Sequence, residues 1–172
     1  MVGNSGSGKT TLARALADLL RAPCLELDGV FHQPNWTPLP AEEFRARVAT
    51  IVAGPRWVID GNYSAVREVV WPRADTIVWL DLPRAQVISQ VVRRTVRRGL
   101  RHQELWNGNR EDLRNVLRRD RDVNIVLWSW TNHTGYRQRM TAASTDPAHA
   151  HLDFVRLRSR RQSRAWLDTA SP

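Results

Sequence analysis

A glycine-rich segment near the start of the chain has the residue types and spacing of a phosphate-binding loop. It reads GNSGSGKTT and contains the pattern G-x-x-x-x-G-K-[ST]. The glycines allow consecutive backbone N–H groups to point at phosphate oxygens. In this pattern Lys9 reaches the β- and γ-phosphates, and the Thr10 hydroxyl ligates Mg²⁺. The sequence therefore predicts that ATP and Mg²⁺ are bound by Gly3, Asn4, Ser5, Gly6, Ser7, Gly8, Lys9, Thr10 and Thr11.

A helix is predicted directly after this loop, but almost no strand precedes it. Leucines at positions 12, 16, 19 and 20 form one helical stripe, which predicts a helix over residues 10–20. Only Met1 and Val2 precede Gly3, and a central strand usually has about five residues. We expect a genuine phosphate loop rather than a chance glycine-rich turn. Its first strand is then largely missing, either because the start codon is placed too late or because the sequence is a fragment.

Two aspartates are predicted at the ends of strands, where ligands of open α/β sheets bind. Residues 24–29 are predicted to form a strand that brings Asp28 to the cleft, where it would orient a phosphoryl acceptor or act as base. Residues 56–63 contain a second short strand that ends at Asp60, a candidate for the Mg²⁺ and water network. Asp81 follows a third strand within 74–83 and is a rival for the metal, ranked below Asp60.

The remaining acceptor-side candidates lie close to these aspartates in the sequence. They are His32, Trp36, Asn62 and Tyr63. Loops at strand ends commonly carry substrate contacts, and residues 30–40 are a proline-rich loop with aromatic side chains. For the His32 and Trp36 side chains, an equally open alternative is that they only hold this loop in place.

A predicted helix over residues 84–98 carries four arginines in two pairs. Arg94 and Arg98 flank its apolar stripe, where they can lean into a cleft and clamp phosphates. Arg93 and Arg97 point away from that stripe and are expected to be solvated. Residues 99–140 are predicted to be a small lid, including a helix over 111–119, which would exclude water from the reaction. A last strand over 151–157 and a closing helix near 164–167 complete the pattern.

Composition limits the class of protein. The chain has 172 residues and is expected to be one domain. It has no apolar run of about 18 residues and no signal region, so we expect a cytoplasmic protein, and one that is a monomer. The net charge is +9 and Lys9 is the only lysine. An anion-handling surface, including nucleic acid, and a simple arginine bias of the genome both remain open.

Taken together, the motifs resemble those of the small P-loop kinases of the nucleoside monophosphate kinase group. The segments that carry the resemblance are GNSGSGKTTLARALA, LELDGVFHQPNW, WVIDGNY, ADTIVWLDLPR and RRTVRRG. They look most like the bacterial adenylate-kinase-like proteins called DNA topology modulation proteins. Strands that alternate with helices imply a three-layer α/β domain with a parallel sheet. The resemblance implies five strands, a phosphate loop at residues 6–11, Asp60 at the metal, and Arg94 and Arg98 as the clamp.

Three functions follow as hypotheses. The first is a kinase that moves the γ-phosphoryl group of ATP to a nucleotide or another small acceptor. Asn62 and Tyr63 stand where the resembled group has an arginine for the acceptor phosphate, which argues against a nucleoside monophosphate. The second is a nucleic-acid-associated ATPase or regulator of DNA topology, although no nucleic-acid-binding motif is present. The third and weakest is a toxin-like kinase that acts on a nucleotide sugar or a similar metabolite.

Overall fold

The computed structural model describes residues 1–101, 103–110 and 124–170, which form an α/β fold with a parallel sheet. Within these residues there are five strands, as predicted. Their bounds are β1 (Val2–Gly3), β2 (Cys24–Glu26), β3 (Val58–Asp60), β4 (Thr76–Leu80) and β5 (Asp153–Leu157). The helices are α1 (Lys9–Leu20), α2 (Leu27–Phe31), α3 (Ala41–Val52), α4 (Ser64–Val70), α5 (Arg84–Leu100), α6 (Ile125–Thr145) and α7 (Arg160–Thr169).

The short first strand still occupies the centre of the sheet. Val2 and Gly3 pair in parallel with Trp79 and Leu80 of β4, and β4 pairs in turn with β5. On the other side, the Met1 amine donates to the Ile59 carbonyl (2.6 Å), and the Met1 carbonyl accepts from the Gly61 N–H (3.1 Å). The regular ladders are thus a three-stranded sheet, β1-β4-β5, and a two-stranded sheet, β2-β3, and the two Met1 hydrogen bonds place β3 beside β1.

Helices cover both faces of the sheet and bury two apolar clusters. On one face, Phe44 of α3, Val66 of α4 and Met140 of α6 pack with Ile77 and Trp79 of β4. On the other face, the apolar stripe of α1 packs with Val78, Leu80 and Leu157, and α7 adds Trp166 and Leu167. Successive side chains of β4 therefore point alternately into the two apolar clusters, which is the expected arrangement for a strand covered on both faces.

Two predictions from the sequence are wrong in their local structure. Asp28 does not end a strand, because β2 stops at Glu26 and Asp28 lies in the first turn of α2. The lid does not extend to residue 140, because residues 125–145 form one long helix whose Met140 is buried in the core. The predicted helix over 111–119 lies outside the described residues. None of the helices in the described part of the chain is long and apolar enough to cross a membrane.

Candidate functional site

The phosphate loop connects β1 to the N-terminus of α1, which is the arrangement the motif requires. Gly6 and Gly8 have φ values of 79° and 94°, a region that glycine adopts without strain. A Cβ atom at Gly6 would collide with Val91 of α5, whereas one at Gly8 would meet no described atom within 4 Å. The loop therefore packs on α5 at Gly6 and is open toward the ligand side at Gly8.

Helix α6 supports the loop from behind through hydrogen bonds that the sequence did not reveal. The Gly3 N–H donates to the Tyr136 hydroxyl (2.9 Å), and the Asn4 side-chain amide donates to the Ser129 carbonyl (2.9 Å). The Asn4 side-chain oxygen also accepts from the Ser5 N–H (2.9 Å). Burial raises the pKa of Tyr136, so its hydroxyl stays protonated and neutral beside the loop. The Asn4 side chain therefore connects the first turn of the loop to α6 through hydrogen bonds.

Thr10 and Asp60 meet at the point where Mg²⁺ would bind. The Thr10 hydroxyl donates to Asp60 Oδ2 (2.5 Å), and Asp60 is only 7 % exposed. The second oxygen, Asp60 Oδ1, is buried and has no hydrogen-bond partner among the described residues. A buried carboxylate oxygen without a partner is unfavourable unless a cation or water binds it. A hydroxyl and a carboxylate are also the oxygen ligands that Mg²⁺ prefers, so these residues fit the ion.

Asp81, the rival for the metal, is held elsewhere. Its two oxygens accept from Arg137 Nε (2.8 Å) and from Arg156 Nε and Nη2 (3.0 and 2.6 Å). Both oxygens of this buried carboxylate are therefore already neutralised by guanidinium groups. The structure gives Asp81 a role in joining β4 to α6 and β5.

Lys9 is hydrogen-bonded to the phosphate loop and feels the charges of two aspartates. Its ammonium group donates to the Asn4 carbonyl (3.1 Å). Burial lowers the pKa of Lys9, and the charges of Asp60 and Asp28 act in the opposite direction. Both carboxylates are thus close enough to Lys9 to interact with its charge, although Asp28 comes from a different element than predicted.

The arginines of α5 divide in the way their spacing indicates. Arg94 Nη2 donates to the Ser5 hydroxyl of the phosphate loop (3.1 Å). Arg94 and Arg98 are partly buried, while Arg93 and Arg97 are exposed. Arg94 therefore approaches the phosphate side of the cleft directly, and Arg98 lies one turn further along the same face of α5.

We predict that Arg94→Gln weakens ATP binding by about tenfold, because a charge-assisted hydrogen bond to phosphate is worth about 1.5–3 kcal/mol. Arg93→Gln removes the same charge one residue away on the exposed face and is the matched control. Titration calorimetry with a non-hydrolysable ATP analogue measures both affinities. Equal affinities for the two variants would show that Arg94 takes no part in phosphate binding.

The acceptor-side candidates form a polar and aromatic group beside Lys9. The Tyr63 hydroxyl donates to Asp28 Oδ1 (2.6 Å) and lies 3.5 Å from His32 Nε2. Burial and the Asp28 charge raise the pKa of Tyr63, so it remains a donor, while burial lowers the pKa of His32. The Trp36 ring meets His32 edge-on at 5.2 Å between centroids. This brings Asp28, His32, Trp36 and Tyr63 together.

Asn62 is turned away from that group. Its side-chain amide donates to the Tyr136 hydroxyl (3.4 Å) and approaches Met140 Sδ (3.6 Å). Its side-chain oxygen is buried and has no hydrogen-bond partner in the described part of the chain. Asn62 therefore lies between β3 and α6, next to the phosphate loop.

A segment of the predicted lid, residues 104–110, rests on the acceptor-side loop. Asn107 Nδ2 donates to the carbonyls of Gly29 (3.1 Å) and His32 (2.6 Å). Asn109 Nδ2 donates to the Gln33 carbonyl (2.9 Å), and its side-chain oxygen accepts from the Trp36 N–H (2.8 Å). The sequence indicated a lid here but not this contact, because backbone carbonyl acceptors leave no mark on residue types.

We predict that Asn109→Ala loosens this contact. The substitution removes the Asn109 side-chain hydrogen bonds to the Gln33 carbonyl, the Trp36 N–H and the Trp106 carbonyl (2.9 Å). Their loss corresponds to about 1–2 kcal/mol. Amide hydrogen exchange at residues 29–36 and 104–110 should then accelerate about 5–30-fold. Asn132→Ala, which removes an amide that donates within α6 to the Trp128 carbonyl (3.1 Å), is the control. Unchanged exchange in Asn109→Ala would contradict the contact.

No protein-family model and no curated protein sequence matches the chain. Among solved structures, the chain is similar to a gluconokinase from Sinorhizobium meliloti 1021. The two are 17% identical, with a TM-score of 0.49, over 99% of this chain and 90% of the other. A likeness at this level carries no inference about substrate.

Proposed function

We propose that this protein is an ATP-dependent kinase that transfers the γ-phosphoryl group to a small acceptor bound between α2, α4 and the 104–110 segment. The observation that carries the proposal is the meeting of two sets of residues at Lys9. Asp60, hydrogen-bonded to Thr10, would serve the ATP side, and Asp28, whose charge also acts on Lys9, would serve the acceptor side. A nucleotide-binding ATPase needs only the first set, whereas a kinase needs both.

In this mechanism the protein mainly positions the reactants and neutralises charge. The phosphate-loop amides, Lys9 and Arg94 hold the triphosphate, and Thr10 with Asp60 would hold Mg²⁺. When bound, the ion supplies positive charge to the β- and γ-phosphate oxygens. The oxygen of the acceptor hydroxyl forms a bond to the γ-phosphorus, and Asp28 accepts the hydroxyl proton. The bond from the γ-phosphorus to the β,γ-bridging oxygen breaks, and ADP leaves. Tyr63 keeps the Asp28 carboxylate oriented through its hydrogen bond.

The residues around Asp28 support a hydroxyl-bearing metabolite over a nucleoside monophosphate. The side-chain contacts of Asp28 and His32 within the described residues are with Tyr63, Phe31 and Trp36, and none is an arginine. Lys9, whose charge acts on Asp28, would be engaged by the ATP phosphates. A phosphate-bearing acceptor would need cationic donors here. Polar and aromatic groups instead suit a neutral hydroxyl compound, because rings pack on its carbon skeleton while Asp28 and His32 take its hydroxyls.

A second candidate function is a nucleic-acid-associated ATPase or regulator of DNA topology. The observation that favours it is the net charge of +9, carried almost entirely by arginine. It predicts ATP hydrolysis that DNA stimulates and binding that weakens steeply with salt. An ATPase of this kind requires no acceptor site, so this hypothesis gives no role to the residues around Asp28.

Asp28→Asn separates the two candidates. We expect it to abolish acceptor-dependent ADP formation across a panel of sugars, other polyols and nucleotides, because the amide cannot take up the hydroxyl proton. The affinity of this variant for an ATP analogue should stay within about threefold of the unsubstituted protein's. A tenfold loss of affinity would need a change of about 1.4 kcal/mol in the binding free energy. Asp18→Asn, a change at an exposed position of α1, is the control. The kinase proposal would be rejected if no compound in the panel increased ADP formation while DNA stimulated ATP hydrolysis.

A further inference from the structure

A cation-lined cavity that is open to solvent lies on the face of the sheet covered by α6. It has a volume of about 650 Å³, within the usual range for small-molecule sites. Its lining comes from the start of α5, the middle of α6 and the end of β5. The lining residues are Asp81, Pro83, Arg84, His133, Thr134, Arg137, Arg156 and Arg158.

The charge of this cavity is strongly unbalanced. Four arginines face one aspartate, which gives the lining a formal net charge of +3 with neutral histidine. Asp81 already accepts hydrogen bonds from Arg137 and Arg156, so it does not neutralise the others. The Arg158 side chain has no partner in residues 1–101, 103–110 or 124–170. Guanidinium groups this close repel one another, and a bound anion relieves that repulsion.

The guanidinium groups are also fixed in place before any ligand arrives. Arg156 stacks on the Trp79 ring (4.3 Å to the centroid) and is held by Asp81. Arg84 lies over the Trp130 ring (5.0 Å) and donates to the Thr134 hydroxyl. Side chains that are already ordered lose less entropy on binding, so such a cluster binds more tightly than mobile surface arginines.

Many N–H donors of this cluster remain available. Among the described residues, Arg137 donates through Nε to Asp81, and Arg84 donates through Nη2 to Thr134. Paired N–H groups of arginine match the oxygens of a phosphate group in spacing and plane. The residues that line the cavity include none of the phosphate-loop residues Gly3 to Thr11.

We propose that this cavity is a second binding site, for a small molecule that carries one or more phosphate groups, distinct from the site for the ATP phosphates. The proposal does not depend on the kinase activity, because it rests on residues of α5, α6 and β5 that take no part in that reaction. The four guanidinium groups determine the chemical class of the ligand, and the volume of the cavity limits the size of the ligand.

Pyrophosphate is a suitable probe, because it carries the phosphate chemistry alone. Calorimetric titration of the full chain should show two binding events. Lys9→Ala should remove the event at the phosphate loop, and Arg84→Gln combined with Arg158→Gln should weaken the other by about tenfold for each guanidinium removed. Neither of these two arginines contacts Asp81, so the buried carboxylate keeps its partners. Arg161→Gln, an exposed arginine of α7 outside the cavity, is the matched control.

Several results would overturn the proposal. One is a single binding event that Lys9→Ala removes and the arginine pair leaves unchanged. A second is equal weakening by Arg161→Gln, which would indicate general attraction to the positive charge. The third is a single-stranded oligonucleotide that loses affinity in the arginine pair while pyrophosphate binding is unaffected, which would make the cavity part of a nucleic-acid surface.

Discussion

Lys9→Ala is expected to lower ATP turnover by about 10²–10³-fold, the loss usual when one positioned donor to a developing charge is removed. Lys9 is the only lysine of the chain and lies between Asn4, Asp60 and Asp28. In the proposed mechanism Arg94 approaches the triphosphate from α5 and does not replace the Lys9 ammonium at the γ-phosphate. Initial rates at saturating ATP measure the effect.

The loss should not come from unfolding. Burial holds the pKa of Lys9 below its ordinary value, so the folded protein disfavours this charge relative to the unfolded chain. Removing the charge should therefore leave the melting temperature unchanged or slightly higher. Arg56→Ala, which removes one positive charge from an exposed loop, is the control. Turnover by Lys9→Ala equal to that of Arg56→Ala would remove the phosphate loop from the mechanism.

Asp60→Asn is expected to raise the Mg²⁺ concentration needed for half-maximal turnover by about 10–100-fold, the usual effect of losing a group that orients a metal ligand or its water. The substitution keeps the shape of the side chain and removes its charge. It also leaves the Thr10 hydroxyl without its carboxylate acceptor. The measurement is ATP turnover as a function of Mg²⁺ concentration.

Asp81→Asn is the matched comparison, because it makes the same chemical change after the next strand along the chain. Here we expect an unchanged Mg²⁺ requirement and a lower free energy of unfolding, by about 2 kcal/mol, since two arginines lose a charged acceptor. If Asp81→Asn shifts the Mg²⁺ requirement and Asp60→Asn does not, the assignment of the two aspartates is reversed.

Local spacing was enough to predict those parts of the site whose side-chain direction follows from one element. The loop motif fixed the positions of Lys9 and Thr10. A rotation of 100° per residue separated Arg94 from Arg93, and the structure places the first at Ser5 and leaves the second exposed. The end of β3 at Asp60 was readable because a buried apolar run stops there.

The rest depended on contacts between distant segments. Helix α6 buries the polar residues Ser129 and His133. The Ser129 carbonyl accepts from the Asn4 side-chain amide, and His133 Nε2 lies 3.0 Å from the Leu82 carbonyl. Apolar periodicity cannot reveal a helix whose buried side is polar, so residues 132–140 looked like part of a lid. Asp28 reaches the cleft from α2 rather than from a strand end, because β2 stops after Glu26.

The most direct test follows the γ-phosphate itself. ATP labelled at the γ-position is incubated with the full chain, Mg²⁺ and a panel of purified polyols, sugars and nucleotides, and the products are separated. The kinase mechanism predicts label on an acceptor oxygen, lost in both Lys9→Ala and Asp28→Asn. Label found only in inorganic phosphate, with release that rises when DNA is added, would contradict it.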